Sequence, residues 1–381
     1  MFGAELLRER LERFAGRPTT ATLTRAWLES FTEPGAPRAM ARGDTLPPGE
    51  ALLLSTRFVP AAGERFEGRG GHPLILRAGD ETVGLYVPAG HPAPDTARLI
   101  GPGESPGGGA WSDRAVEGGV VDTVWRLIAE NPGRLAADLA AEAAHAASAS
   151  VPNGVHVLGD GAVLLGQDVS IEPGVLFDTR EGPVKLADGV EVRTGARLQG
   201  PLYAGPATRL LGGSFTCVSA GPECRLRGEI EESVVLGYAN KAHDGFLGHA
   251  YAGRWVNLGA QTTNSDLKNN YGPIRIGSPE GQIDTGLLKL GCLIGDHVKT
   301  AIGTRINTGT AIGAGANLFG DSVPAKWVPP FAWGQGTPPS VYERDRFLST
   351  AGQVLERRGV PFDDSTREWL GACWDTARGD D

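Results

Sequence analysis

The sequence lacks the features that mark several large classes of protein. No apolar run approaches the ~20 residues that cross a membrane, so no membrane partner is predicted. Acidic residues outnumber basic ones by 45 to 36, and no dense Lys/Arg stripe offsets the net charge of -9, which argues against a nucleic-acid surface. The amino-terminal unit has no glycine-rich loop of the GxGxxG or GxxxxGK[ST] type, so nothing predicts phosphate binding there by backbone amides.

Cysteine is scarce as well, with four residues in 381. Cys217, Cys224, Cys292 and Cys373 are too scattered for a zinc site and too few for a disulfide framework. We expect buried packing roles for them, no metal site, and a reducing cytoplasmic setting. The amino terminus, MFGAELLRERLERF, has the pattern of a charged amphipathic helix and not of a signal peptide.

Glycine is abundant instead, at 56 residues, and parts of the sequence repeat with a period of six residues. Residues that are mostly aliphatic recur at Leu186, Val192, Leu198, Ala204 and Leu210, and again at Ile294, Thr300, Ile306, Ile312 and Leu318. A third short run is Leu165, Ile171 and Phe177. Residues that are mostly small follow four positions later at Val190, Ala196, Leu202, Thr208, Ser214, Val298, Thr304, Thr310, Ala316 and Ser322.

A period of six fits neither a helix nor an alternating strand. It fits hexapeptide repeats, in which each six residues form one side of a triangular coil and the aliphatic side chain points inward. A glycine-rich β-sandwich or barrel is the alternative, but irregular strand lengths rarely give five hexads in register twice. The sequence therefore predicts a mainly β protein built on a parallel β-helix.

Around this β-helix we predict four parts. Residues 1–118 form a small α/β unit, 119–150 a helical connector, 151–330 the coils, and 331–381 an extended segment with two helices, Val341 to Arg358 and Ser365 to Arg378. Gly101 to Gly109 is predicted to be an exposed loop. The hexad count breaks at Cys217 to Val234 and at Asn264 to Leu293, and both segments are predicted to protrude from the coil.

The richest polar stretch runs from Glu229 to Tyr271, and His243 lies within it outside the inward series. A neutral imidazole can take a proton from an amine or hydroxyl that attacks a thioester, which is general-base acyl transfer. Backbone N–H groups at Gly259 and Ala260 are candidate donors to the oxyanion. A lone histidine is more often structural, and we assign that role to His72, His91, His145, His156 and His297. His249 is a weaker candidate for the base, and a surface position is expected for it.

Lysines and asparagines of the same stretch are candidate substrate ligands. Lys241 and Lys268 could hold a phosphate, and Asn257, Asn269 and Asn270 could bind sugar hydroxyls. The competing interpretation is that the asparagines form an internal ladder or occupy turn positions. Asn269 to Gly272 has the composition of a simple turn, although a turn requires neither Lys268 nor Tyr271.

The run KAHDGFLGHAYAGRWVNLGAQTTNSDLKNNYG resembles the left-handed parallel β-helix acyltransferases. It is similar to the acetyltransferase half of the bifunctional uridylyltransferase and glucosamine-1-phosphate acetyltransferase. The whole chain resembles a bacterial group of sugar nucleotidyltransferases that join a reduced amino-terminal domain to such a β-helix. The resemblance implies a left-handed coil, a sugar-type substrate, and a homotrimer with acetyl-CoA along the coils between subunits.

Carried over position by position, the resemblance implies roles for individual residues. His243 matches the catalytic base, Asn257 an acceptor-site asparagine, and Asn270 with Tyr271 the asparagine-tyrosine pair of the acceptor loop. Ala260 matches the alanine at the reacting thioester, and the resemblance places the donor beside Gly259, Ala260 and Ala301.

The sequence also departs from the family pattern. Phe246 stands where the acceptor-site tyrosine is expected, Glu231 stands where a phosphate-binding lysine is expected, and the phosphate-binding arginine has no clear counterpart near Gly213. The nucleotidyltransferase signature is missing, and the chain is expected to begin inside the family's first helix.

Three functions stay open. The first is acyl-CoA-dependent transfer to an amino sugar, sugar phosphate or nucleotide sugar. The second is sugar-1-phosphate nucleotidyl transfer with Mg²⁺, and the third is non-enzymatic binding of a sugar or nucleotide.

Overall fold

The structure is a computed structural model that describes residues 1–32, 35–68, 71–96, 111–335 and 339–379. The predicted loop from Gly101 to Gly109 lies outside these residues. The chain divides into a larger unit, Met1–Ala4 with Thr123–Pro361, and a smaller one, Glu5–Asp122 with Phe362–Asp381. Each unit is described by itself.

The described residues contain five α-helices, as follows: α1 (Leu7–Ala15), α2 (Arg126–Ala129), α3 (Asn131–Ala143), α4 (Arg344–Glu356) and α5 (Asp364–Arg378). The predicted amino-terminal helix begins at Leu7, where the Glu9 carboxylate accepts from the Leu6 amide at 2.8 Å. It ends at Gly16, whose φ of 66° only glycine adopts without strain. The two predicted carboxy-terminal helices are confirmed: α4 is shorter than predicted at both ends, and α5 begins one residue earlier than predicted.

The smaller unit combines α1 and α5 with short strands. The strands are β1 (Ala21–Thr24), β2 (Arg38–Ala41), β3 (Ala51–Leu54), β4 (Phe58–Pro60), β5 (Leu74–Ala78), β6 (Glu81–Val87), β7 (Ser112–Ala115) and β8 (Gly118–Val120). Four of them form a sheet in the order β3-β6-β5-β7. Leu11 and Phe14 of α1 are buried in one cluster with Phe58, Leu76 and Val83, because the apolar stripe of an amphipathic helix needs an apolar partner.

The larger unit consists mainly of strands of two to eight residues. Its first half contains β9 (His156–Leu158), β10 (Val163–Leu165), β11 (Ser170–Ile171), β12 (Leu176–Asp178), β13 (Val184–Leu186), β14 (Glu191–Val192), β15 (Ala196–Gln199), β16 (Leu202–Ala204), β17 (Arg209–Thr216), β18 (Ser219–Ala220), β19 (Arg225–Glu231) and β20 (Val234–Val235).

Its second half contains β21 (Asn240–Lys241), β22 (Phe246–Gly248), β23 (Tyr251–Ala252), β24 (Asn257–Leu258), β25 (Thr263–Asn264), β26 (Arg275–Ser278), β27 (Gly281–Asp284), β28 (Cys292–Ile294), β29 (Lys299–Thr300), β30 (Arg305–Ile306), β31 (Thr310–Ile312), β32 (Asn317–Leu318), β33 (Trp327–Val328), β34 (Ala332–Trp333) and β35 (Ser340–Val341).

Apart from β26, β27 and β35, which pair antiparallel, these strands stack in parallel along three faces of a coil. The first face pairs nine strands in the order β10-β13-β16-β18-β20-β23-β28-β31-β33. In the second half of the coil, the second face contains β21, β24, β29 and β32, and the third face contains β22, β25 and β30. Both long series of predicted inward hexad residues are buried, and all of them except the polar Thr300 belong to one continuous core. The predicted parallel β-helix is therefore confirmed.

The two breaks in the hexad count have different outcomes. The second break forms an insertion, residues 265–291, which contains the antiparallel hairpin of β26 and β27. The prediction that Cys217 to Val234 protrudes is wrong, because β18 and β19 stay in the ladders. Glycines at positive φ, Gly212, Gly213 and Gly228, turn these coils with fewer residues, which removes the period of six without ejecting a loop.

Two sides of the upper coils are covered by other parts of the larger unit. On the first face, Ile128 of α2 and Ile274 and Ile276 of the insertion pack with Tyr251 and Trp327. The corner between the first and second faces carries Tyr238, Trp255, His297 and Phe331, and Phe347 of α4 packs against His297 and Phe331. We call it the aromatic corner.

Candidate active site

The corner between the second and third faces carries His243, and we call it the histidine corner (residues 242–245, 259–262 and 301–304). Asn240 pairs with Asn257, and Asn257 with Lys299, in successive coils. The residues three positions further on, His243, Ala260 and Ile302, therefore lie one above another. His243 is exposed and Ile302 is 80% exposed, so this corner faces solvent.

The His243 ring makes no hydrogen bond or ion pair with any described residue, and its carbonyl oxygen accepts from Lys241 Nζ. The neighbouring carboxylate is engaged elsewhere: Asp244 Oδ1 accepts from Arg227 Nε at 3.0 Å. The imidazole is thus accessible and unoccupied by the fold. A group arranged in this way can take a proton from an incoming amine or hydroxyl.

The predicted donor-side residues share this corner, but two of their amides are already bonded within the coil. The Gly259 N–H donates to the Thr300 carbonyl at 3.1 Å and to its hydroxyl at 3.0 Å. The Ala301 N–H donates to the Leu318 carbonyl at 2.8 Å. Gly259 is therefore not a free oxyanion donor, contrary to the prediction. Among the described residues the Ala260 N–H has no acceptor, which leaves it as the donor beneath His243.

Lys241 does not face solvent. It is 2% exposed, and its ammonium donates to the carbonyl oxygens of Arg227, at 3.2 Å, and His243. Burial lowers the pKa of Lys241 to about 8. A lysine held inside the coil by two carbonyls cannot present its charge to a phosphate, so the predicted substrate role for Lys241 is wrong. It shapes the backbone beside His243 instead.

Asn257 is exposed on the second face, and its Oδ1 accepts from Asn240 Nδ2 at 2.8 Å. This contact is the ladder that the competing interpretation describes. The same bond holds the Asn257 side chain in place three residues before Ala260, because Asn240 and Asn257 belong to the paired strands β21 and β24. Asn257 is therefore held in place near the histidine corner by another side chain.

The predicted acceptor segment, Lys268 to Tyr271, lies on the insertion and not at the histidine corner. Tyr271 is 72% exposed at a φ of 54°, and Asn270 Oδ1 accepts from the Gly272 amide at 3.2 Å, as in a turn. Asn269 is exposed beside it, and Lys268 Nζ donates to the Pro273 carbonyl. Within the described residues, no hydrogen bond or ion pair joins this segment to His243.

Sequence reasoning missed a buried polar cluster around His249, which was predicted to be a surface residue. His249 Nδ1 lies 2.8 Å from Asp266 Oδ2, and His249 Nε2 lies 3.3 Å from Glu232 Oε2. The signal was present in the spacing: Glu232 precedes His249 by 17 residues and Asp266 follows it by 17, the length of the coil from Asn240 to Asn257. Residues one coil apart stack.

Cys217, Cys224 and Cys292 are buried, as predicted, whereas Cys373 is only half-buried. Burial raises the pKa of Cys217, Cys224 and Cys292 to about 12, so these thiols carry no nucleophilic thiolate at neutral pH. Among the described residues, no group of three or more His, Cys, Asp or Glu side chains is placed to hold a metal ion. No described helix has both the length and the apolar character that a membrane crossing requires.

Comparison with known proteins adds names to this geometry. Over 95 residues the chain is 32% identical to a bifunctional sugar-1-phosphate nucleotidylyltransferase/acetyltransferase of Sulfurisphaera tokodaii. Over 156 residues it is 29% identical to YaiX, an uncharacterized acetyltransferase of Escherichia coli. The chain is similar to proteins named as acetyltransferases. The resemblance inferred from the sequence is confirmed at this level, and no protein-family model matches the chain.

The similarity covers limited parts of both partners. The matches cover 25% and 40% of this chain, and they span 24% of the Sulfurisphaera protein and 68% of YaiX. Among solved structures, the polySia-specific acetyltransferase NeuO matches 55% of this chain and 99% of its own at 13% identity and a TM-score of 0.28. So low a TM-score carries no argument.

Proposed function

We propose that the protein is an acyl-CoA-dependent transferase, most simply of acetyl groups, acting on an amino sugar, sugar phosphate or nucleotide sugar. His243 is the general base, and the Ala260 amide donates to the oxyanion of the tetrahedral intermediate. The observation that carries the proposal is the exposed His243 ring above Ala260 at the histidine corner, a corner that no described segment covers. The names of the relatives support it.

In the reaction the acceptor nitrogen or oxygen attacks the thioester carbonyl, and the imidazole takes the proton that the acceptor loses. The carbon–sulfur bond then breaks, and the protonated imidazole returns the proton to the departing thiolate. Acetyl-CoA is the donor substrate in this proposal. A homotrimer is part of it: among the described residues of one chain, Lys268, Asn270 and Tyr271 make no hydrogen bond or ion pair with His243, and the proposal has them reach it from a neighbouring copy.

A thermal-shift screen with acetyl-CoA, UTP with Mg²⁺ and dTTP with Mg²⁺ tests the donor class. A ligand that binds only the folded state adds ~2.7 kcal/mol to the free energy of unfolding at a hundredfold excess over Kd, and the melting temperature rises as a result. Stabilisation by acetyl-CoA, followed by thiol release with a panel of amino sugars, supports the proposal. Stabilisation by a nucleoside triphosphate alone would replace it with the nucleotidyl transfer that the Sulfurisphaera relative's name includes.

A non-enzymatic binder is distinguished by the variant His243→Ala. If the protein is an enzyme, this variant loses turnover and keeps its affinity for acetyl-CoA. If it is a binder, no turnover exists to be lost, and the variant changes ligand affinity or nothing.

A further inference from the structure

The cluster around His249 closes both ends of the insertion onto the coil. Asp266 lies at the start of the insertion, and Lys289, near its end, places its Nζ 3.8 Å from Glu231 Oε1 on the third face. The backbone repeats this closure: the Leu290 amide donates to the Asp266 carbonyl and the Gly291 amide to the His249 carbonyl, each at 2.9 Å. The insertion therefore leaves and rejoins the coil through this cluster.

The two hydrogen-bond partners of the His249 ring favour its protonated state. Each ring nitrogen faces a carboxylate oxygen, and carboxylates only accept hydrogen bonds. A neutral imidazole has one N–H and can satisfy one of the two carboxylates, whereas the imidazolium donates to both. With both nitrogens occupied and the ring 6% exposed, His249 cannot serve as a base for a substrate. Its geometry is that of a bridge.

The charges around the ring agree with this reading. Desolvation lowers the pKa of His249, but the hydrogen bond with Glu232 and the charges of Glu232 and Asp266 outweigh it, so the net direction is upward. Lys289 opposes the rise and pairs with Glu231. Burial, and then the charges of Glu232 and Glu231, raise the pKa of the Cys217 thiol to about 12, so this thiol stays neutral.

We propose that Glu232, His249 and Asp266 form a protonation-dependent latch that holds the insertion, and with it the segment from Lys268 to Tyr271, against the coil. The imidazolium joins the carboxylate of the coil to the carboxylate of the insertion. Loss of its proton leaves one carboxylate without a donor and loosens the attachment. That the latch positions an acceptor segment rests on the proposed function, whereas the latch itself does not.

The sign of the pH dependence follows from the raised pKa. Below pH 6.5 the ring is protonated in both the folded and the unfolded chain, and the latch contributes fully. Its contribution is lost as the pH rises above 6.5 and passes through the folded-state pKa. The insertion is therefore expected to open more readily in mildly alkaline solution than at pH 6.

Hydrogen exchange of the full chain between pH 6 and 9 tests the latch without any activity assay. Beyond the intrinsic tenfold rise per pH unit, the amides of Leu290 and Gly291 are expected to exchange about tenfold faster above the folded pKa, the factor of one charge-assisted hydrogen bond. The Ala301 amide, bonded to Leu318 in the coil, is the internal reference and should show no extra step.

Asp266→Asn should abolish the extra step, because the amide no longer distinguishes the two charge states of the ring. Asp284→Asn is the matched control: it makes the same change on the same insertion, where Asp284 Oδ1 only accepts from the Gly286 amide. This control should keep the step. If acyl transfer is found, the acceptor KM of the unaltered chain should rise as the pH increases above 6.5. In Asp266→Asn this rise should be smaller, and the donor KM should be unchanged.

An NMR titration of the His249 ring in the unaltered protein protects the test against a variant that fails to fold. A folded-state pKa above 6.5 that coincides with the exchange step supports the latch. A ring that is neutral at pH 6, or Leu290 and Gly291 amides that show no extra step, would overturn it. Neither result depends on whether acyl transfer is detected.

Discussion

The aromatic corner and the histidine corner belong to the same coils, yet only one of them is covered. At the aromatic corner Trp255 stacks on Tyr238 with ring centroids 4.1 Å apart, and Phe347 of α4 closes over His297. At the histidine corner Ala260 and Ile302 stand beneath His243 with no described segment over them. The same coils build both corners, so the residues that point outward decide which corner is covered and which stays open to solvent.

The same contrast appears in two histidines. His297 is buried, its Nδ1 has no partner among the described residues, and burial, then Lys299 and Arg254, lower its pKa to about 3. His243 is exposed. A buried, neutral histidine contributes to packing. A solvent-exposed histidine beside a donor amide can exchange protons with a substrate. Each difference between the corners can be tested by changing one of them.

The largest expected effect is at the histidine corner. His243→Ala should lower kcat for acyl transfer by about 10²- to 10⁴-fold, the usual contribution of a general base, without lowering the melting temperature. Steady-state thiol release measures the rate, and calorimetry with acetyl-CoA should show unchanged affinity. His156→Ala, at another exposed coil histidine, is the control and should retain full activity. Equal losses in both variants would remove His243 from the mechanism.

At the aromatic corner the effect should be on stability. Phe347 is 3% exposed and packs on His297, Phe331 and Tyr342, so Phe347→Ala should lower the free energy of unfolding by about 3–5 kcal/mol through lost burial and a cavity. Phe319→Ala is the matched change beside the histidine corner, where the ring is 40% exposed and touches Trp333. It should cost less than half as much. Urea unfolding compares the two, and equal costs would contradict the contrast.

Much of this arrangement is legible in the sequence, because a strict period fixes which side chains point inward. Ile294, Ile306 and Ile312 were assigned to the core from spacing alone and are buried. The period also fails where it is interrupted. Glycines that turn the chain at positive φ, such as Gly212 and Gly228, shorten the coils between Cys217 and Val234, and the sequence cannot distinguish a shortened coil from a protruding loop.

Individual site residues were harder to predict, since the sequence does not say which way a polar side chain turns. The sequence predicts that Lys241 holds a phosphate, but Lys241 pairs with the buried Leu226 of the preceding coil, and its ammonium donates to backbone carbonyls. His249 was expected at the surface, but stacking by one coil places it between Glu232 and Asp266. In both cases the decisive partner lies a whole coil away, which a local reading of charge does not include.

The buried histidine of the aromatic corner predicts an acid limb in stability. Because the pKa of His297 is about 3 when folded and 6.5 when unfolded, the unfolded chain binds more protons between these values, and stability falls as the pH drops below 6.5. One such group contributes a slope of at most ~1.4 kcal/mol per pH unit. His297→Phe keeps the ring beside Trp255 and should flatten the limb, whereas His243→Phe should leave it steep. Thermal unfolding from pH 4 to 7 checks this.

The smallest change in stability should come from Ile302, and it separates ligand binding from folding most cleanly. An aliphatic side chain that is 80% exposed contributes little to the core, so Ile302→Ser should alter the free energy of unfolding by less than ~0.5 kcal/mol. If the donor lies along the histidine corner, the same change removes an apolar contact and should raise the KM for acetyl-CoA several-fold, with kcat nearly unchanged. Val157→Ser, an exposed apolar residue of β9 far down the coil, should leave both quantities unaltered. An Ile302 variant with unchanged donor KM would mean that the exposed isoleucine has a purpose other than the donor.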